Sequence, residues 1–223
     1  MTTLFLTGSG TDVGKTFVAG LLLEQLARAG RSACALKPIA SGFDERAALE
    51  SDAARLLVAQ GLEPTAAAIA RMSPWRFAAP LSPDMAAARE GRANDFDALL
   101  DFCREPRSAD VTLIEGIGGV MVPIDREHPV LDWIAALGAP VLLVAGSYLG
   151  TLSHTLTAAG MLRARGATIA GIVLNESASQ PVPAEETAEV LARFADGVPI
   201  RLVRRHKADT PPPPQPDLLT LLG

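Results

Sequence analysis

The chain has 223 residues, enough for one domain that buries on the order of 70% of the surface exposed when unfolded. Its formal net charge of −5 and dispersed basic residues give no general attraction to nucleic acid or an anionic membrane, so small anionic metabolites are the expected partners. No apolar run approaches the ~20 residues that span a bilayer, and the N-terminus carries no basic-plus-apolar leader, so the chain reads as cytoplasmic with no membrane partner.

Residues 3–7 read as a buried strand, and residues 15–29 as a helix whose face carries Phe17, Leu21, Leu22, Gln25 and Leu26. Between them run Gly8, Ser9, Gly10, Thr11, Asp12, Val13, Gly14, Lys15 and Thr16, a glycine-rich phosphate loop. Such a loop aims backbone N–H groups at phosphate oxygens, brings a lysine to the β/γ-phosphates and places a hydroxyl on Mg2+. Gly14, Lys15 and Thr16 supply these in order, so the chain is read as handling a nucleoside triphosphate. The loop is a subtype, because its first glycine is Gly8 and serine stands at position 9.

A second strand, 32–36, delivers Lys37 to its carboxyl edge, followed by Pro38, Ile39, Ala40, Ser41 and Gly42. A second ammonium beside Lys15 suits two negative centres held together, such as a phosphate and a carboxylate or carbamate; the alternative is a lysine snorkelling from a strand end. Ser51 reads as the N-cap of a helix over 51–60, and Asp52 opens that helix. Residues 72–83 are rich in proline and aromatics without a period, an ordered excursion packed on the sheet. A helix over 96–104 precedes a strand, 111–114, ended by Glu115 and then Gly116, Ile117, Gly118 and Gly119. Thr16, Asp52 and Glu115 with phosphate oxygens would satisfy Mg2+ if they converge.

Helices over 129–137, 152–165 and 184–194 then alternate with strands over 141–145, 168–174 and 198–202. That order predicts an α/β fold, a parallel sheet flanked by helices on both faces, with the ligand at the carboxyl ends of the strands. One domain, 1–223, accounts for the whole chain. Its proline-rich segment at 210–217 is expected to run extended on the surface as a spacer, with a proline-binding partner as the alternative. Cys34 and Cys103 lack a metal-like spacing and read as reduced, packed thiols.

In this order the residues resemble the dethiobiotin synthetase family, ATP-dependent enzymes of biotin synthesis that close a ureido ring on 7,8-diaminopelargonic acid. The resemblance covers most of the chain: Val13 to Thr16; Lys37 and Pro38 with Ala40, Ser41 and Gly42; Ser51 and Asp52; Pro80 with Ser82 and Pro83. It continues through Glu115 and Gly116 with Gly118 and Gly119, Asp132 and Trp133, Leu149 to Thr151, and Asn175. It implies a P-loop NTPase-like fold, ATP and Mg2+ as cofactors, diaminopelargonic acid and CO2 as substrates, and a homodimer.

Carried onto this sequence, the resemblance makes Lys37, Lys15 and Thr11 catalytic. Asp12, Val13, Gly14, Lys15, Thr16, Phe17, Asp52, Glu115 and Asn175 bind the nucleotide and its metal, with Thr16, Asp52 and Glu115 on Mg2+ and Asn175 on the adenine edge. Ser41, Gly118, Leu149, Gly150, Thr151 and Ser153 hold the substrate, the last four at a helix N-terminus lent by the neighbouring subunit to the remote carboxylate. His154 reads as a packing or surface residue.

The chain departs from the family pattern at Ser153, where asparagine is common, and at Asp84, where histidine often follows the Ser-Pro pair. It departs more at 198–216, where an arginine-rich, proline-ended stretch replaces the usual adenine segment. The cluster from Arg201 to Lys207 reads as a solvated edge or a phosphate contact. Two other readings fit less well. A cobyrinate-type synthetase normally adds a glutaminase module, which 223 residues do not accommodate. A nucleotide-switched ATPase of the partition or nitrogenase-reductase type carries a signature lysine where this chain has Gly10.

Overall fold

The computed structural model describes residues 2–206 and 211–222. In chain order the first elements are β1 (Thr2–Gly8), α1 (Lys15–Arg28), β2 (Ala33–Leu36), β3 (Ile39–Ser41), a 3-10 turn (Glu45–Glu50) and α2 (Asp52–Ala59). Next come α3 (Ala66–Met72), β4 (Trp75–Phe77), α4 (Pro83–Arg89), α5 (Phe96–Arg104) and β5 (Val111–Gly119). The remainder is α6 (Val130–Leu137), β6 (Val141–Gly146), α7 (Thr151–Ala164), β7 (Ile169–Asn175), α8 (Ala184–Phe194), β8 (Ile200–Val203) and a closing 3-10 turn (Leu219–Leu221).

Six strands form one sheet in the order β2-β5-β1-β6-β7-β8, every pair parallel. Successive side chains on a strand point to opposite faces, so a central strand rich in apolar residues needs cover on both. In β1, Leu4 and Leu6 join the core made with α1, α2 and α3. Phe5 between them joins the opposite core with α5, α6 and α7 and meets Trp133 edge to face at 4.8 Å. None of the described helices is long and apolar enough to cross a membrane.

Parallel strands end at one edge of the sheet, and the register there brings distant residues level. Leu36 pairs with Ile114, so Lys37 and Glu115, each one residue further on, emerge side by side. Leu6 pairs with Glu115, which sets the carboxylate beside the start of the phosphate loop.

Two expectations need correction, and a third gains detail. Glu115 does not end its strand: β5 runs on to Gly119, because Gly119 pairs with Gly8 across a register shift and the intervening glycines let the backbone follow. The excursion over 72–83 packs on the main sheet as expected, Phe77 joining the core of Phe5, Leu36 and Ile114 with Trp75, Ala79 and Leu81 against it, and it adds strand pairing of its own. Its β4 pairs with β3 as a separate two-stranded parallel sheet, with Ile39 opposite Trp75 and Ser41 opposite Phe77, and its last residue opens α4. The proline segment is also more than a spacer. Pro211, Pro212 and Pro214 are exposed as expected, but Gln25 grips the chain just beyond them, its amide nitrogen donating to the Pro216 carbonyl and its oxygen accepting from the Leu218 N–H, each at 2.8 Å.

Leu218 and Leu221 then enter the core under α1. Leu218→Ala is expected to cost about 2–4 kcal/mol, read as a fall in denaturant midpoint, because it empties a fully buried site. A midpoint equal to that of the native chain would mean that the tail is undocked in solution. Of the basic cluster, Arg201 donates to Thr220 Oγ1, Arg204 pairs with Glu185, and the Arg204 backbone is matched by the Gln215 amide at 3.0 and 2.8 Å. Lys207 and Thr210 lie outside the described residues.

Both cysteines are free. Burial raises both thiols above their ordinary range, Cys103 to about 12, in keeping with reduced, packed side chains.

Candidate active site

The phosphate loop is held by close backbone contacts. Gly14 enters α1 at φ 88°, in the left-handed region, and a Cβ built there would lie 2.1 Å from Asn175 Nδ2. Asn175, at the end of β7, donates that amide to the Val13 carbonyl at 3.0 Å. Lys15 is 8% exposed and folds back across its own loop, donating to the carbonyls of Gly118 at 2.9 Å and Gly10 at 3.3 Å. Burial, and after it the neighbouring Lys37 charge, pulls the Lys15 ammonium down to about 8. A phosphate brought against it would oppose both effects, so the loop is electrostatically set for an anion.

Lys37 is the centre of the second group. It is 4% exposed and its Nζ lies 2.6 Å from Glu115 Oε1, 2.9 Å from the Gly116 carbonyl and 3.7 Å from Asp52 Oδ2. Thr16 donates its hydroxyl to the same Glu115 oxygen at 2.8 Å. The three residues read as metal ligands therefore converge, Thr16 on Glu115 directly and Asp52 through Lys37. Glu115 Oε2 is buried without a partner among the described residues, an expensive condition for a carboxylate oxygen. A hydroxyl and two carboxylates make an all-oxygen donor set of the kind Mg2+ prefers, and the orphaned oxygen still lacks a bond. Asp52 reaches this position because Ser51 caps α2, its hydroxyl accepting the Ala54 N–H at 3.2 Å.

A cavity of about 620 Å³ opens over these groups. Thr11, Asp12, Gly14, Lys15, Thr16, Phe17, Lys37, Ser41, Asp52, Glu115 and Gly118 all line it. Ser41 Oγ is buried without a partner among the described residues. The 3-10 turn after β3 completes the wall, and it brings in Asp44, Glu50 and, from α2, Arg55, which sequence reasoning passed over. Val13 is buried and turned from the cavity, and Asn175 stands behind the loop and outside the lining.

Leu149, Gly150, Thr151 and Ser153 are outside the lining as well. They form the start of α7, which no side chain caps: Leu149 is 83% exposed, Gly150 is at φ 96°, and the Thr151 hydroxyl is spent on the Gly146 carbonyl. His154 is exposed and bonded to the Tyr148 hydroxyl at 2.9 Å. Asp84 accepts from the Ser82 hydroxyl at the start of α4. A second cavity, about 650 Å³, lies against β2 among Cys34, Trp75 and Phe102 and contains none of the phosphate-loop residues.

Known proteins resemble this chain in sequence and in fold. A family model described as an AAA domain matches residues 2–205. The ATP-dependent dethiobiotin synthetase BioD of Acidiphilium cryptum (strain JF-5) is 48% identical over 216 residues, covering 96% of this chain and 92% of that protein. The protein of the same name from Methylobacterium nodulans is 45% identical over 212 residues, covering 92% of this chain and 94% of its own. Among solved structures, chloroplast FtsY from Physcomitrella patens superposes with a TM-score of 0.52 at 16% identity, over 99% of this chain and 63% of that one, a likeness of fold alone. With relatives this similar over nearly its whole length, and a phosphate loop facing a buried Lys–Glu pair, the chain belongs to the family of ATP-dependent dethiobiotin synthetases.

Proposed function

We propose that this protein uses ATP and Mg2+ to close the ureido ring of dethiobiotin from 7,8-diaminopelargonic acid and CO2, releasing ADP and phosphate. The observation that carries this reading is the second ammonium. Lys37 shares one cavity with Lys15, yet it is held 2.6 Å from Glu115 and not by the phosphate loop. A protein that only bound and hydrolysed a triphosphate would have less use for a cation at the acceptor side.

One amine of the substrate takes up CO2 as a carbamate and loses a proton. A carbamate oxygen then attacks the γ-phosphorus, the bond to the ADP oxygen breaks, and a carbamic–phosphoric anhydride forms. The second amine attacks the carbamoyl carbon, expels phosphate and loses its proton as the ring closes. In this scheme Lys15 and the loop N–H groups hold the phosphates, and Lys37 neutralises charge on the carbamate and the transferring phosphoryl group. Thr11, Ser41 and the Gly118 backbone orient the diamine or carbamate, for which the orphaned Ser41 hydroxyl is suited. Thr16, Asp52 and Glu115 would hold Mg2+, which when bound offsets the negative charge of the phosphates. The start of α7, Leu149 to Ser153, would take the remote carboxylate across a homodimer.

The test is purified protein with ATP, Mg2+, bicarbonate and diaminopelargonic acid, followed by mass spectrometry for dethiobiotin. Phosphate release is expected to require both diamine and CO2, because the acceptor oxygen belongs to the carbamate. ATP hydrolysis at the full rate without diamine would instead support a nucleotide-switched regulatory ATPase.

Base discrimination is expected to be weak. Asn175 gives one amide edge, worth about 1–2 kcal/mol of net hydrogen bonding, and about 1.4 kcal/mol is tenfold in affinity. Its Nδ2 is already engaged with Val13. ATP, GTP and CTP compared as phosphoryl donors at subsaturating concentration should therefore differ by about tenfold, in a contrast reduced by Asn175→Ala. A preference for ATP of about a thousandfold would reveal further base contacts, with residues 202–206 the first place to look.

A further inference from the structure

Lys37 stands where the chain leaves one sheet for another. Up to Leu36 its backbone is paired in the main sheet, and from Ile39 it is paired with β4. Pro38, between them, has no N–H to give to a ladder. At this junction Ser73 takes over. Its hydroxyl donates to the Lys37 carbonyl at 2.5 Å, and Ser73 is 0% exposed. On either side the Lys37 N–H reaches the Met72 carbonyl at 3.3 Å and the Trp75 N–H reaches the Pro38 carbonyl at 3.1 Å.

Ser73 is itself fixed from both directions. Its N–H donates to the Ile69 carbonyl of α3 at 2.9 Å, and Arg76 Nη1 donates to the Ser73 carbonyl at 2.7 Å. The guanidinium of Arg76 also lies 5.2 Å from the centre of the Phe43 ring, part of the cavity wall. The bracket therefore ties the backbone of Lys37 to α3 and to that wall.

We propose that Ser73 is a positioning residue for the Lys37 ammonium. The inference rests on the reading of Lys37 given under Proposed function and adds the group that sets its place. Without the Ser73 hydroxyl the buried Lys37 carbonyl has no side-chain donor and the junction loses its only side-chain clamp on that carbonyl among the described residues. The ammonium is carried from that backbone by four methylene groups, so a small displacement there alters its approach to the transferring phosphoryl group. The phosphate loop hangs from β1, away from the junction that Ser73 clamps.

The experiment compares native protein with Ser73→Ala and Ser73→Thr. In Ser73→Ala, kcat per folded molecule is expected to fall at least about tenfold with KM for ATP within about twofold, and Ser73→Thr, which keeps the hydroxyl, should recover most of the loss. In protein labelled with 13C-lysine, the Cε resonance of Lys37, identified by its absence in Lys37→Arg, should shift in Ser73→Ala. A kcat per folded molecule within twofold of native, or an unmoved Lys37 resonance, overturns the proposal, and a lowered melting temperature alone marks Ser73 as merely structural. If Ser73→Thr fails to fold, the Ser73→Ala split and resonance decide. If native protein makes no dethiobiotin, the functional reading fails separately, while the resonance still judges whether Ser73 places the lysine.

Discussion

Lys37→Met is expected to lower kcat by about 10³ while triphosphate binding stays within a few-fold, because methionine keeps most of the lysine volume and removes only its charge. The expectation follows from the division of labour in the cavity. Lys15 lies with the loop, against the Gly10 and Gly118 carbonyls, whereas Lys37 lies with Glu115 and Asp52. The same substitution leaves Glu115, 2% exposed, without the cation that compensates it. Removing one member of a buried pair typically costs about 3–5 kcal/mol, more than the pair itself contributes. Stability and catalysis can therefore be separated. Lys37→Met with Glu115→Gln should regain much of the lost stability, since no charge is stranded, yet regain none of the rate. Denaturant unfolding of the two variants beside single-turnover phosphate release would measure both effects. Near-native turnover in Lys37→Met would remove the lysine from the chemistry and leave it a structural ion-pair member.

The parts of the site that were legible in the sequence are those written in local chemistry. The loop from Gly8 to Thr16 reads directly, because its glycine, lysine and hydroxyl spacing is dictated by the phosphates and not by the rest of the fold. Lys37 and Glu115 read nearly as well, each placed after a run of apolar strand residues, although Glu115 proves to lie within β5, and parallel topology then brings them level. Their separation of 2.6 Å is a matter of register, Leu36 opposite Ile114, which hydrophobic pattern alone does not fix.

The region from 66 to 89 was the least legible. Its elements are short, α3 and α4 of seven residues each and β4 of three, so each spans too few turns or alternations to show a period. Ser73 was invisible for a related reason: a single serine before a proline looks like a turn, and its importance arises from a carbonyl 36 positions away. The tail failed differently. Pro211 to Pro214 describe their own exposed conformation correctly, but docking depends on Gln25 offering both faces of its amide to a segment more than 190 positions later.

Gly14→Ala should weaken triphosphate binding by about a hundredfold or more, equivalent to about 2.7 kcal/mol. Two costs combine. At φ 88° an alanine is held in a left-handed conformation that disfavours any L side chain by roughly 1–2 kcal/mol. Its Cβ would also stand 2.1 Å from Asn175 Nδ2 and 3.2 Å from Asn175 Cγ, so that amide has to move and its bond to the Val13 carbonyl is lost. Either the loop backbone rotates, turning N–H groups away from the phosphates, or Asn175 swings out and the loop loses its support from β7. The double substitution Gly14→Ala with Asn175→Ala tells these apart. It removes the collision but neither the backbone strain nor the loss of the Asn175–Val13 bond, so the penalty of Gly14→Ala measured on the Asn175→Ala background should shrink by about tenfold if the collision dominates, and not at all if the conformation does. Titration calorimetry with a non-hydrolysable triphosphate gives the affinities. Native affinity in Gly14→Ala would mean that the loop tolerates a side chain at its tightest point, and that the N–H groups after Val13 are not what grips the phosphates.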